Sequence, residues 1–89
     1  MREDYLKKKL EKEFKKVYVW TDKPNEIYEK HSHPYEFKLI ILEGSMKLKA
    51  EEESFVLKKG SEINIGKNKE HEAVVGKEGC RYLVGEKIK

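Results

Sequence analysis

Apolar residues recur at intervals of three and four along residues 4 to 16, and Lys and Glu fill most positions between them. Leu6, Leu10, Phe14 and Val17 form this series. On a helix, such spacing places the apolar side chains in one narrow stripe. The pattern predicts a short N-terminal amphipathic helix that packs on the rest of the protein through this stripe, or else clasps a partner subunit.

Beyond residue 16 the sequence changes to short β-rich runs separated by turn residues such as Pro24, Asn25 and Gly60. The predicted strands span residues 17–20, 26–31, 37–42, 46–50, 55–57, 63–65, 73–75 and 81–84. No helical pattern lies between these runs. Short strands with frequent turns predict an all-β sandwich or a small barrel rather than alternating strands and helices.

Length and composition limit the domain organisation and the partners. The 89 residues suffice for one domain, with a helical segment over 1–16 and a β-barrel over 17–89. Charged residues make up 42% of the chain, but the net charge is only +3, which does not indicate a nucleic-acid-binding surface. No apolar run has the length of a transmembrane helix, and the N-terminus lacks a signal-peptide pattern. We therefore expect neither a nucleic-acid nor a membrane partner.

Residue usage suggests where the protein works. Cys80 is the single cysteine, so no internal disulfide can form, and we expect a buried, inert thiol in a reducing cytoplasmic compartment. The charges come mostly from Lys and Glu, Gln is absent, and only two residues are Asp. This bias is typical of proteins that work at high temperature, and we expect a thermophilic source.

The three histidines carry the candidate chemistry. His31 and His33 are one residue apart, so on a strand both side chains point to the same face. His71 lies far downstream, on what the pattern predicts to be a separate strand. If the three imidazoles meet, they give a divalent metal three nitrogen ligands and leave at least one coordination position open.

The segment His31 to Gly44 resembles the first motif of the cupin superfamily, in which two histidines precede a glutamate and a glycine. The segment Gly60 to Val75 resembles the second motif, in which a glycine precedes a third histidine. The matching positions are His31, His33, Gly44, Gly60 and His71. The resemblance covers about residues 20 to 85. It implies a small jelly-roll β-barrel, or double-stranded β-helix, whose interior holds the metal.

Several turn positions of the two motifs are changed in this sequence. Asn25 stands at the first glycine of the first motif, and Gly66 and Asn68 stand at the proline and glycine of the second. Asn is the next-best residue after Gly for a left-handed turn, so these changes keep the turns available. The last motif position, an asparagine, is Val75.

The metal-binding glutamate of the first motif falls on Phe37 when counted from the histidines and from the following glycine. Glu36 is adjacent, but a shift of one residue on a strand turns a side chain to the opposite face. Two ligand sets stay open: the three histidines alone, as in some cupin dioxygenases, or these three with Glu36 re-aimed by a bulge. A metal-free cupin that merely keeps its histidines is the other alternative. The implied divalent metal is Fe, Zn, Ni, Mn or Cu.

A few further residues are candidates for a role beside the histidines. Tyr28, Tyr35 and Tyr82 can each offer a hydroxyl to a ligand. Tyr35 and Glu36 are closest to the metal motif and are the candidate catalytic residues. Trp20 is predicted to lie in the core or at a subunit interface.

The resemblance implies a small-molecule ligand at the open metal positions, in a small cavity lined by apolar side chains. One hypothesis is a metal-dependent oxygenase or isomerase that acts on a small anionic substrate. The other is a binding module without chemistry, similar to the sugar-sensing cupin domains of bacterial regulators. We expect a homodimer, because cupins commonly pair through a sheet edge, with the helix or the 17–20 strand at the interface.

Overall fold

A computed structural model describes residues 2–88, so Met1 and Lys89 at the ends of the predicted domain lie outside the described part. The elements are α1 (Arg2–Glu11), β1 (Lys16–Asp22), β2 (Ile27–His31), β3 (Phe37–Ala50), β4 (Glu53–Lys58), β5 (Glu62–Ile65) and β6 (His71–Glu86). Every strand pair is antiparallel. This confirms the predicted all-β class with one short N-terminal helix.

The two long strands β3 and β6 pair with each other along most of their length and organise the sheet. The first half of β3 lies beside β5, and its second half lies beside β4. The first half of β6 lies beside β2, and its second half lies beside β1. Because each long strand bends midway, the sheet folds into two layers, β1–β6–β3–β5 and β2–β6–β3–β4, which face each other.

The bend replaces two turns that the sequence pattern predicted. Register shifts between Ile41 and Glu43, and between Gly44 and Met46, allow β3 to continue past Gly44 opposite β6. Gly44 has φ +79°, and a Cβ there would lie 2.0 Å from the carbonyl oxygen of Gly79. Residues 37–50 and 71–86 are therefore single bulged strands, and the predicted eight strands are six.

The interior between the layers contains one apolar cluster. Its buried members are Phe37, Leu39, Ile41, Met46, Leu48, Leu57, Ile65, Ala73, Val75, Cys80, Tyr82 and Val84. Inward positions on β3 are odd-numbered before the bend and even-numbered after it, because the bulges insert residues that change the phase of the strand. Apolar side chains from both halves of the bent strand therefore point into the same interior.

The helix α1 covers the outer face of the sheet. Its residue Leu10 and the following Phe14 form a second buried cluster with Ile40 and Leu83. The predicted stripe therefore packs on the protein's own barrel. The helix ends at Glu11, earlier than residue 16, and a single further turn carries Phe14 onto the strands, where its ring lies against Gly85.

No helix within residues 2–88 combines the length and the apolar character needed to cross a membrane.

Candidate metal centre

The structure brings all three histidines together at one end of the barrel interior. His31 is the last residue of β2 and pairs directly with His71, the first residue of β6. His33 follows in the loop after β2, and its ring centroid lies 4.9 Å from that of His31 and 5.2 Å from that of His71. One ring nitrogen from each of the three lies within 4.8 Å of the others.

Backbone carbonyls fix which nitrogen of two rings carries a proton. His31 Nδ1 lies 2.6 Å from the carbonyl oxygen of Glu29, and His71 Nδ1 lies 3.0 Å from that of Lys69. A carbonyl only accepts hydrogen bonds, so in each case Nδ1–H is the donor and the Nε2 lone pair stays free. Metal-ligating histidines are held in the same way, with the second ring nitrogen donating to a fixed acceptor.

The surroundings favour neutral imidazoles. Burial lowers the pKa of His33 from its ordinary 6.5; the charge of His31 lowers it further, and the charge of Glu86 acts in the opposite direction. Burial also lowers the pKa of His71, against the hydrogen bond to Lys69, and the other two histidines add to the lowering. Two of the three rings are therefore unprotonated at neutral pH, the form that binds metals.

The three-nitrogen group suits a first-row divalent ion. In a tetrahedral site with metal–nitrogen bonds near 2.0 to 2.1 Å, the ligand nitrogens lie about 3.3 Å apart. The three nitrogens lie within 4.8 Å of one another and would approach more closely to reach that spacing. Among the described residues, no carboxylate or thiolate joins these three side chains.

Phe37, and not Glu36, faces the histidines. The Phe37 ring centroid lies 5.4 Å from that of His33 and 5.1 Å from that of His71. Glu36 lies on the other side of the chain, where its Oε2 accepts a hydrogen bond from Asn64 Nδ2 at 3.2 Å. No bulge re-aims Glu36, so the structure does not bring the candidate fourth ligand and catalytic residue to the group.

A cavity of about 330 Å³ opens beside the three rings. Its lining residues are Tyr18, Trp20, Tyr28, His31, His33, Tyr35, Phe37, Leu39, Met46, Leu48, His71, Ala73, Tyr82, Val84 and Glu86. The apolar lining predicted from the sequence is present in part, on β3 and β6. The remainder is aromatic and polar, with four tyrosines, one tryptophan and one carboxylate.

Two carboxylates organise this polar part, and sequence reasoning missed both. Asp22, which is buried, accepts hydrogen bonds from Trp20 Nε1 at 2.8 Å, from Tyr82 OH at 2.7 Å and from Tyr28 OH. Glu86 Oε2 accepts hydrogen bonds from two further tyrosine hydroxyls of the cavity. Asp22 is the single acidic residue of β1, whereas β6 contains Glu72 and Glu78 besides Glu86. Only the alternation of faces along these strands could have indicated the two inward carboxylates.

The other singled-out residues have mixed outcomes. Tyr35 stacks on His33, with ring centroids 5.2 Å apart, and burial raises the pKa of its hydroxyl, which stays a proton donor. Trp20 is half exposed at the cavity, so of its two predicted places the core is wrong and the subunit interface stays a prediction. Cys80 is buried as predicted, and burial together with the charge of Asp22 raises its pKa to about 11.

No protein-family model matches this chain, and no curated protein sequence matches it at a significant level. Solved structures do match, and three of them each match over 82% of this chain. A cupin superfamily protein from Desulfitobacterium hafniense DCB-2 is 15% identical with a TM-score of 0.73, and KdgF from a Halomonas species is 13% identical with a TM-score of 0.73. The DMSP lyase DddQ from Ruegeria pomeroyi DSS-3 is 22% identical with a TM-score of 0.75.

The matches span 66%, 68% and 38% of those three chains, respectively. At these identities the likeness concerns the fold, and the antiparallel two-layer barrel described above agrees with it. The chain therefore has a cupin-superfamily fold.

Proposed function

We propose that this chain is a metal-binding cupin that holds one divalent transition metal through His31, His33 and His71. The observation that carries the proposal is the convergence of three ring nitrogens within 4.8 Å beside a cavity. The hydrogen bonds from Nδ1 of His31 and His71 support it, because they leave both Nε2 atoms free and oriented. Three neutral ligands leave the full charge of the ion available to a small molecule in the cavity.

The function that this site supports best is metal-dependent chemistry on a small molecule, of the oxygenase or isomerase class. The ion would polarise a bound substrate or activate oxygen. Phe37 and Leu39 contribute an apolar wall to the cavity, and Tyr35 contributes a hydroxyl donor. Tyr35 is the remaining catalytic candidate, in the role of a proton donor, because burial raises its pKa.

A binding module without chemistry is the second candidate. The absence of a carboxylate from the histidine group within residues 2–88 favours it, since Glu36 bonds to Asn64 instead. Oxygen uptake and turnover with a panel of small thiols and diketones separate the two candidates. Turnover that requires the metal supports the enzyme, whereas tight ligand binding without turnover supports the module.

The metal itself is tested by titrating chelator-treated full-length protein with Zn²⁺ or Fe²⁺ against a competing indicator. We expect one ion per chain, and His71→Ala is expected to weaken binding about 100-fold or more. Glu70→Ala, an exposed neighbour, serves as the matched control and should bind like the unchanged protein. Equal affinity in His71→Ala, or no binding at one ion per chain, would contradict the proposal.

A homodimer, a cytoplasmic location and a thermophilic source stay predictions, as does the absence of nucleic-acid and membrane partners. The helix stripe is buried on its own barrel, which leaves β1 as the better of the two expected interfaces. Sedimentation of a single species at the monomer mass at micromolar concentration would rule the dimer out.

A further inference from the structure

Glu86 lines the same cavity as the histidine group and differs from it chemically. Glu86 is the last residue of β6 and stands opposite Phe37 in the register with β3, which places its side chain on the interior face. Its Oε2 accepts a hydrogen bond from Tyr18 OH at 2.7 Å and a longer one from Tyr35 OH at 3.4 Å. Both hydroxyls have raised pKa values, caused first by burial and then by Glu86, so both remain donors that hold the carboxylate in place.

Two tyrosine side chains contact this carboxylate, and Asp22 holds three further aromatic rings of the same cavity. Trp20, Tyr28 and Tyr82 all line the cavity, and all three donate hydrogen bonds to Asp22. Their polar atoms are thereby turned toward Asp22. A carboxylate beside fixed aromatic rings is the combination that recognises a protonated amine, through a charge-assisted hydrogen bond and cation–π contact.

No positive side chain within residues 2–88 neutralises Glu86. None of the described residues that line the cavity is Lys or Arg, and no lysine or arginine nitrogen of the described chain lies within 4.0 Å of a Glu86 oxygen. Lys16 is paired with Glu86 across β1 and β6 but is exposed, and its Nζ lies 5.4 Å from the ring centroid of Tyr18. An anionic ligand group placed beside Glu86 would be repelled by a carboxylate that has no neighbouring cation.

We propose, building on the metal site above, that the cavity takes a small zwitterion, with an anionic group at the histidines and a protonated amine at Glu86. The charges at the histidine group and at Glu86 are opposite once an ion is bound, so a ligand with matching opposite charges is complementary to both. The anionic substrate expected from the sequence fits the histidine end alone. A neutral hydroxyl can bond to Glu86 but does not compensate its charge.

The test compares ligands that share one carboxylate and differ only at the far end. Zinc-loaded full-length protein is titrated calorimetrically with γ-aminobutyrate, butyrate, γ-hydroxybutyrate and glutarate, and with the corresponding series built on β-alanine and on ε-aminocaproate, so that the span is sampled. At the best-fitting length, the amino acid is expected to bind about tenfold or more tighter than the unsubstituted acid, and the dicarboxylate weakest. Equal binding of the amino acid and the unsubstituted acid, or tightest binding of the hydroxy acid or dicarboxylate, would overturn the proposal.

Glu86→Gln keeps the acceptor oxygen for Tyr18 and Tyr35 and removes only the charge. We expect it to lose most of the preference for the amino acid, while its affinity for butyrate and for Zn²⁺ changes by less than about threefold. Glu78→Gln, at an exposed position on the same strand, is the matched control and should keep the full preference. A full preference retained in Glu86→Gln would also overturn the proposal.

Lys16→Met tests the one nearby cation. It is expected to bind the amino acid at least as tightly as the unchanged protein, because removing a positive charge favours an incoming ammonium. Weaker binding in Lys16→Met would mean that Lys16 recognises an anion, and would contradict the assignment.

The metal titration described above separates the two proposals. A protein that binds metal but shows no preference for the amine refutes only the ligand assignment. If the protein fails to bind metal, butylammonium added to the metal-free chain still tests the Glu86 end. Binding that Glu86→Gln abolishes would support ammonium recognition without a metal, and no binding to the unchanged chain would refute it.

Discussion

The outer and inner faces of β3 and β6 differ in what covers them. On the outer face, Ile40 and Leu83 are buried under Leu10 and Phe14, with no polar group in the cluster. On the inner face, apolar side chains from the same strands continue into a cavity of about 330 Å³ bordered by histidines, tyrosines and Glu86. The same two strands thus supply a close-packed surface and a ligand-accessible one.

Stability and ligand binding are assigned to different faces of the same two strands. A small domain has a modest apolar core. The cavity reduces the apolar packing in the barrel interior, and the helix adds a second apolar layer on the outer face. The inner face in turn holds its polar groups by internal hydrogen bonds. Within residues 2–88, every buried side-chain nitrogen or oxygen atom has a hydrogen-bond partner.

Removing side-chain volume from the outer face should have the largest effect on stability. Leu83 is fully buried under the helix, and Leu83→Ala is expected to lower the free energy of unfolding by about 2 to 5 kcal/mol, measured by urea denaturation. Val74, on the same strand, is 48% exposed, and Val74→Ala should change the free energy of unfolding by less than about 0.5 kcal/mol. Metal affinity of folded Leu83→Ala should be unchanged, and its loss would show that the two faces are coupled.

On the inner face, Asp22→Asn tests whether the carboxylate organises the aromatic wall. The amide places an NH₂ group where a second acceptor oxygen was, so one hydroxyl or indole donor loses its partner. We expect the free energy of unfolding to fall by about 1 to 3 kcal/mol, with a change in Trp20 fluorescence. Zn²⁺ affinity should stay within a few-fold. Unchanged stability and fluorescence would mean that Asp22 does not hold these rings.

A smaller effect should appear in the pH dependence of the metal-free protein. The pKa values of His33 and His71 are lowered from 6.5, so the unfolded chain binds protons more readily than the folded one as the pH falls below about 6.5. Their contribution to stability is therefore complete above that pH and is lost as the pH falls through the folded-state pKa values. Urea denaturation from pH 8 downward should show this decline, with a shallower slope in the double variant His33→Gln, His71→Gln. An identical slope in the double variant would contradict it.

Sequence patterns were enough to predict the outer face and the turns at Asn25 and Asn68. The stripe of Leu10 and Phe14 packs as predicted, because an amphipathic helix has one apolar side to bury. Asn25 and Asn68 adopt φ values of 65° and 61°, the left-handed turns that the motif glycines would supply. The alternation of faces along a strand also correctly favoured Phe37 over Glu36 at the histidine group.

The long strands could not be predicted because a glycine in a β-rich sequence can mark either a turn or a close approach within a continuous strand. Gly44, Gly76 and Gly79 indicate turns when they are considered locally. In the fold, a Cβ at Gly44 would meet the backbone of Gly79, one at Gly76 would meet the Ser45 side chain, and one at Gly79 would meet the carbonyl oxygen of Asp22. These are tertiary requirements. The helix end was likewise set by where Phe14 meets Gly85, and not by the composition of residues 12–16.

Much of the polar half of the site could not be predicted because several of its hydrogen-bonded pairs are remote in sequence. Tyr82 and Asp22 are 60 residues apart, and Tyr18 and Glu86 are 68 apart. No local spacing links such pairs, whereas the spacing of His31 and His33 and their match to the first cupin motif indicated a joint site, although His33 lies in the loop after β2. The histidines were therefore identifiable from the sequence, and the carboxylates that complete the cavity were not.

If His31, His33 and His71 hold one ion, the proton–nitrogen NMR spectrum of the histidine rings should change at all three residues when the metal binds. In the metal-free protein we predict the Nδ1–H tautomer for His31 and His71. One equivalent of Zn²⁺ should then shift the Nε2 signals of His31 and His71 and one ring-nitrogen signal of His33, and leave Nδ1 of His31 and His71 protonated. A titration in which fewer than three rings respond, or in which Nδ1 of His31 or His71 binds the ion, would contradict the account.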